Sequence, residues 1–221
     1  MVNIIKEHIP MLTKARPCTV RKPTSITIHN TGNPSKGAGA INHSKYMNGS
    51  GCHKYCSYNY VVDEHYIIEL IPPDEVSWHA GDGSKGHGNL HSISIEICEN
   101  SDGDLLRATD NAVELVKLLM REFSISPDKI YQHNKWSGKD CPQRLRNGEP
   151  YSWEEFLSKC KESDSNMKYY EYLTDIPEGE LRENVEKLVK RGILRGVGEN
   201  KLHISEDLVR TITILTRAGV L

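Results

Sequence analysis

Residues 25–31, SITIHNT, alternate apolar and polar side chains, with Ile26 and Ile28 on one face. A period of two is that of a β-strand, and the pattern predicts a short strand that ends at His29. Residues 92–98, SISIEIC, repeat the pattern more cleanly. Ile93, Ile95 and Ile97 face one way, and Ser94 and Glu96 face the other. Further out, residues 57–71, SYNYVVDEHYIIELI, read as two strands around a turn near Asp63 and Glu64. KIYQH, at 129–133, reads as a short strand ending at His133. Between the strands, Thr109 to Phe123 carries an apolar stripe of Val113, Val116, Met120 and Phe123, which predicts a helix capped by Thr109 or Asp110. Trp153 to Cys160 predicts a second helix. Strands interleaved with helices indicate an α/β or α+β layer architecture. The Gly- and His-rich residues 76–91, VSWHAGDGSKGHGNLH, predict a loop.

With 221 residues, the chain has room for one ordinary domain and a small second one. A hydrophobic fraction of 37% and a charged fraction of 26% predict a globular protein. The formal net charge of −2 argues against a general nucleic-acid binder. No apolar run reaches the length of a signal peptide or the ~20 residues of a membrane span. The expected compartment is therefore a reducing cytosol, without a membrane partner. There, six cysteines are more readily thiols or metal ligands than disulfides.

A polar stretch at 161–168, KESDSNMK, lacks periodicity and predicts a linker between domains at 1–160 and 169–221. In the second domain, Leu181, Val185, Leu188 and Val189 mark one amphipathic helix. Leu208, Ile212 and Leu215 mark another, with a Gly-rich turn from Gly192 to Gly198 between them. Two helices about a turn suit a helix-turn-helix or a dimerisation hairpin. From Met167 onward, however, nine Lys/Arg balance nine Asp/Glu, and a phosphate-binding domain should be clearly basic. Oligomeric state stays open.

Three residues suggest chemistry. His29 and His133 end strands, and Cys141 follows eight positions after His133 in HNKWSGKDCP. Two imidazoles and a thiolate suit zinc, with a fourth position left for water, and softness favours zinc over magnesium or calcium. A single histidine among ten is more often a surface or satisfied core residue. Spacing alone does not single out these three; the surrounding words do.

ITIHNTG, SYNYVVD, EVSWHAGDG, SISIEICEN and HNKWSGKDCP occur in the order found in type 2 N-acetylmuramoyl-L-alanine amidases, and the chain resembles that family over roughly residues 20–160. The family includes phage endolysins, bacterial autolysins and the peptidoglycan-recognition-protein fold. The resemblance implies a central mixed β-sheet flanked by helices, with zinc in a surface groove held by His29, His133 and Cys141. It implies peptidoglycan as substrate, cut between N-acetylmuramic acid and L-alanine. Glu96, on the polar face of its strand, is the candidate to move the proton of the attacking water. Lys139 is the candidate to stabilise the oxyanion. Both match the family's catalytic positions. Some relatives carry an essential tyrosine at the position of Tyr58, which makes it a second-tier candidate. Asn30, Trp78 and His79 are candidate substrate contacts. Trp78 is nearly as readily a core residue at a loop base, and His79 a structural loop histidine.

A small, mainly helical C-terminal domain that attaches to a wall polymer fits the family habit of joining such modules. The expected protein is a phage-type endolysin, held in the host cytoplasm until release to the wall. A bacterial autolysin or a non-hydrolytic peptidoglycan binder are the alternatives. A zincin protease is excluded by the lack of HExxH, and SKG lacks the ending of a phosphate-binding loop. GCHKYC, with Cys52 and Cys56, has no second ligand pair and reads as free thiols.

Overall fold

The computed structural model describes residues 4–162, 169–195 and 201–220, apart from the side chain of Asp207. In chain order the first unit contains β1 (Ile4–Lys6), β2 (Ser25–Asn30), α1 (Ala40–Asn48), β3 (Tyr60–Val62), β4 (Ile67–Glu69), α2 (His87–His91) and β5 (Ser92–Ile97). It continues with α3 (Leu105–Phe123), β6 (Ile130–Gln132), α4 (Asn134–Ser137), α5 (Gln143–Arg146) and α6 (Trp153–Lys161). The strands form one mixed sheet in the order β1-β4-β3-β5-β2-β6. β3, β5, β2 and β6 run parallel, while β4 is antiparallel to β3 and pairs in parallel with β1.

The alternation in β2 and β5 sorts their side chains as the period of two requires. Ile26, Ile28, Ile93, Ile95 and Ile97 are fully buried on one face, in a core shared with Val113, Leu115, Val116, Leu119 and Phe156 of α3 and α6. The opposite face carries a second core around Val61, Ile68, Leu70 and Met47. The polar residues of β2 and β5 are buried as well: Thr27, Ser92 and Ser94 have no exposed surface. Burial is tolerated because their hydroxyls pair with neighbours. Thr27 Oγ1 and Ser92 Oγ lie 2.6 Å apart, and Asn59 Oδ1 accepts from Ser77, Ser94 and Arg21.

Several local features depart from the sequence reading. Helix α3 begins at Leu105, not Thr109, and its cap is Asp104, which accepts from the Arg107 amide at 3.0 Å. The first turn buries only Ala108 and Thr109, so the stripe fades there although the helix continues. Thr109 is spent inside the helix, donating to Leu105 O. Helix α1 had no sequence signal, since two of its three buried side chains, Ala40 and Ser44, are too small or polar to mark a face. The loop at 76–91 contains the short α2.

The chain divides into compact units at Met1–Lys161 and Glu162–Leu221. Most of the expected linker lies outside the described residues, as do residues 196–198 of the expected Gly-rich turn. The second unit contains β7 (Tyr169–Tyr170), α7 (Glu180–Lys190), β8 (Ile204–Ser205) and α8 (Glu206–Arg217). β7 pairs antiparallel with β8. Its core is Tyr170, Ile176, Val185, Leu188, Ile204, Val209 and Ile212. The stripe of α8 runs through Val209 rather than Leu208, which is 42% exposed. Arg217 clips α8 to α7 through both carboxylate oxygens of Glu180. Among the described residues, no helix is long and apolar enough to cross a membrane.

Candidate metal centre

The site gathers at the carboxyl ends of parallel strands, where open α/β sheets characteristically bind ligands. His29 is the penultimate residue of β2 and pairs in register with Glu96 of β5. His133 follows β6, its amide donating to Ile28 O and so extending the ladder by one residue. Cys141 reaches the same point from the loop after α4, anchored where its carbonyl accepts from the Asn134 amide. One ligand atom from each of His29, His133 and Cys141 falls within 4.8 Å of the others, and all three residues are buried.

The donor set fits a metal. His29 Nδ1 lies 3.1 Å from His133 Nδ1 and 3.8 Å from Cys141 Sγ. The other ring nitrogen of His133 lies 3.0 Å from the Ala80 carbonyl oxygen, which can only accept. The proton of a neutral His133 therefore resides on Nε2, and the Nδ1 lone pair points into the cluster. Burial holds both imidazoles below their ordinary pKa, with Lys139 adding to the effect at each. Both are thus neutral and able to ligate at pH 7. Burial pushes the Cys141 thiol up to about 12, so ligation there would displace a proton.

Glu96 Oε1 lies 3.8 Å from His29 Nδ1, while Glu96 Oε2 is buried without a hydrogen-bond partner. Burial raises this carboxyl to about 8; the Lys139 ammonium opposes the shift and Glu99 reinforces it. Lys139 itself is exposed and lines a groove of about 540 Å³ together with Glu96, Asn30, Thr31, His43 and Tyr58. Tyr58 is buried, and its hydroxyl lies 3.3 Å from His43 Nδ1. Burial and the nearby Glu96 hold its phenol well above the ordinary value.

The remaining candidates sit less freely than their motifs suggest. The side-chain oxygen of Asn30 accepts from the Arg144 amide at 3.1 Å, although the residue still lines the groove. Trp78 and His79 line a second hollow of about 550 Å³ with Tyr55, Gly81 and His133. Trp78 Nε1 is buried and unpaired. Both nitrogens of His79 are engaged within the chain: Nδ1 with His29 Nε2 at 3.0 Å, and Nε2 with the carbonyls of Gly88 and Ser92.

The sequence reading missed Thr31 and His43 and took Cys56 only as a free thiol. Thr31 Oγ1 and His43 Nε2 are buried in the groove without partners, and Cys56 lines both hollows. His43 belongs to the unforeseen α1, so no strand pattern could flag it. Thr31 lies inside the ITIHNTG word but is an ordinary strand-end residue in isolation. All six cysteines are free thiols.

A mixed-sheet α/β domain with a buried His-His-Cys cluster, beside a glutamate whose Oε2 is unpaired, defines a class: an α/β fold whose donor set suits a metal ion. Residues 19–144 match the Amidase_2 family model, described as N-acetylmuramoyl-L-alanine amidase. The chain is 41% identical over 182 residues to the N-acetylmuramoyl-L-alanine amidase CwlH of Bacillus subtilis, covering 82% of this chain and 70% of that one. It is 44% identical over 156 residues to the amidase XlyA of the same organism, covering 71% of this chain but 50% of XlyA. A solved mutant endolysin from Bacillus subtilis superposes with a TM-score of 0.67 at 43% identity, over 72% of this chain and 99% of that one. The chain belongs to the N-acetylmuramoyl-L-alanine amidase family and is an enzyme of the peptidoglycan amidase type.

Proposed function

We propose that the chain is a zinc-dependent amidase that hydrolyses the bond between N-acetylmuramic acid and L-alanine of bacterial peptidoglycan, as a lytic enzyme of the endolysin type. The observation that carries this reading is the convergence of His29, His133 and Cys141 on one point, with the unpaired carboxylate oxygen of Glu96 beside it. The named endolysin among the similar structures supports the lytic role.

When bound, zinc supplies a Lewis acid that polarises the amide carbonyl and lowers the pKa of water towards ~7. His29, His133 and Cys141 would hold it. Glu96 accepts the proton of the attacking water and delivers it to the leaving amine. Lys139, exposed at the groove wall, stabilises the oxyanion that develops on the carbonyl. Asn30, Tyr58, Trp78 and His79 line the two hollows that receive the glycan strand and stem peptide. The buried, unpaired Thr31 Oγ1 and His43 Nε2 gain partners from the polar backbone of a bound peptide.

The second unit, 169–221, is assigned to wall attachment, with 1–160 as the catalytic unit. A self-contained core and balanced charge support binding to a wall polymer over binding to nucleic acid.

The test is end-group analysis of purified peptidoglycan digested with and without a chelator. The expected result is chelator-sensitive release of new L-alanine amino ends with no new reducing sugar. Amino ends from other residues would move the cut into the stem peptide. Sedimentation with the wall and no new ends would reduce the protein to a binder.

A further inference from the structure

Two adjacent residues of the loop before α2 hold the outer nitrogens of both histidine ligands. The Ala80 carbonyl takes the proton of His133 Nε2 at 3.0 Å, and the His79 ring meets His29 Nε2 at 3.0 Å. The protonation of His79 follows from its far side. Its Nε2 faces two carbonyl oxygens, Gly88 O at 3.0 Å and Ser92 O at 3.2 Å, and neither can donate. The ring proton therefore resides on His79 Nε2, and Nδ1 is a bare acceptor. His29 donates to it from Nε2, and the bare Nδ1 atoms of His29 and His133 then face each other at 3.1 Å, a repulsion that a cation held between them would relieve. A neutral His29 then presents an unprotonated Nδ1 towards His133 and Cys141.

The loop that does this is itself pinned. The amides of His79 and Ala80 both donate to Asn89 Oδ1, at 2.9 and 2.8 Å. The buried Arg21 guanidinium holds Asn89 O and Ser92 O, at 3.1 and 2.7 Å. Arg21 thus fixes one of the two carbonyls that set the proton on His79.

We propose that His79 is a positioning residue for the metal, locking His29 in the Nε2-protonated tautomer so that Nδ1 is the ligand atom. The proposal rests on the metal-centre reading above. Ligating histidines gain basicity and orientation from an outer hydrogen bond, and losing it characteristically weakens metal affinity by about 10–100-fold. Here the outer partner is a neutral imidazole rather than a carboxylate, so it orients His29 without adding negative charge behind the ligand.

The experiment uses the full chain with ¹⁵N-labelled histidine. Long-range ¹H–¹⁵N correlation spectra of the metal-free protein report which nitrogen of His29 carries the proton. Competition with a chromogenic chelator then gives the zinc dissociation constant. Wild type should show the Nε2-protonated form of His29. His79→Leu, which leaves no acceptor, should populate both tautomers and raise the dissociation constant about 10–100-fold. His79→Asn, which returns an oxygen near the Nδ1 position, should restore the single tautomer and most of the affinity. A wild-type His29 protonated on Nδ1 would overturn the proposal, and this readout needs no variant to fold. An unchanged tautomer and affinity in folded His79→Leu would overturn it equally. Wild type showing the stated tautomer yet binding no zinc would support the hydrogen-bond relay and remove the metal-centre reading instead.

Discussion

His29 and Glu96 are cross-strand partners in the parallel pair β2–β5, and His29 Nδ1 lies 3.8 Å from Glu96 Oε1. Register fixes this proximity. The pattern of isoleucines on both strands commits their other residues to the opposite face, and a slip of one residue would turn either group into the apolar core. A candidate ligand and a candidate proton carrier therefore share one face of adjacent strands before any loop is considered.

Replacing Cys141 with Ser should remove bound zinc and most activity, because a hydroxyl binds zinc far less well than a thiolate. Metal analysis of the purified variant, alongside peptidoglycan digestion, checks this. A zinc-loaded Cys141→Ser protein with wild-type activity would sink the ligand assignment.

Replacing Glu96 with Gln should leave zinc content and folding intact while lowering kcat by roughly two orders of magnitude or more. Steady-state kinetics on soluble muropeptides separate kcat from KM. A loss confined to KM would make Glu96 a binding group.

Stability of the metal-free protein should depend on pH through Glu96. Its folded pKa, about 8, stands above its ordinary 4.5. The folded state therefore holds the proton more tightly, and this contribution is fully present below pH 4.5 and lost as pH rises through 8. Glu96→Gln removes the ionisation, so its Tm in chelator should fall less than that of wild type between pH 5 and 8. Parallel pH profiles for the two proteins would contradict the raised pKa.

Gly88→Ala should destabilise the protein by about 1–3 kcal/mol through overpacking. A Cβ at this position would lie 2.5 Å from the Ala80 Cβ and 2.9 Å from the Trp136 ring. Ala80 bears the carbonyl that holds His133, so zinc affinity should fall as well. Chemical denaturation and zinc competition measure the two effects, and a variant equal to wild type in both would mean the loop yields without consequence.

The sequence by itself determined the central strands, because isoleucine at every second position of β2 and β5 has only one sheet-forming arrangement. It also pointed to the residues of the candidate site, since His29, His133 and Cys141 stand in family-like words. Local pattern was silent where few large apolar side chains are buried, as in α1, with its Ala40 and Ser44, and in the first turn of α3, where Leu106 is exposed. Only the tertiary structure decided that Thr27, Ser92 and Ser94 on the polar face of β2 and β5 are buried, because a covering loop and its hydrogen bonds are contacts between distant segments. The same holds for His79. Its motif suggested a ligand contact, but the carbonyls of Gly88 and Ser92 fix its proton and aim its other nitrogen at His29. Hydrogen-bond direction depends on partners brought together in space, and residue spacing along the chain carries no record of it.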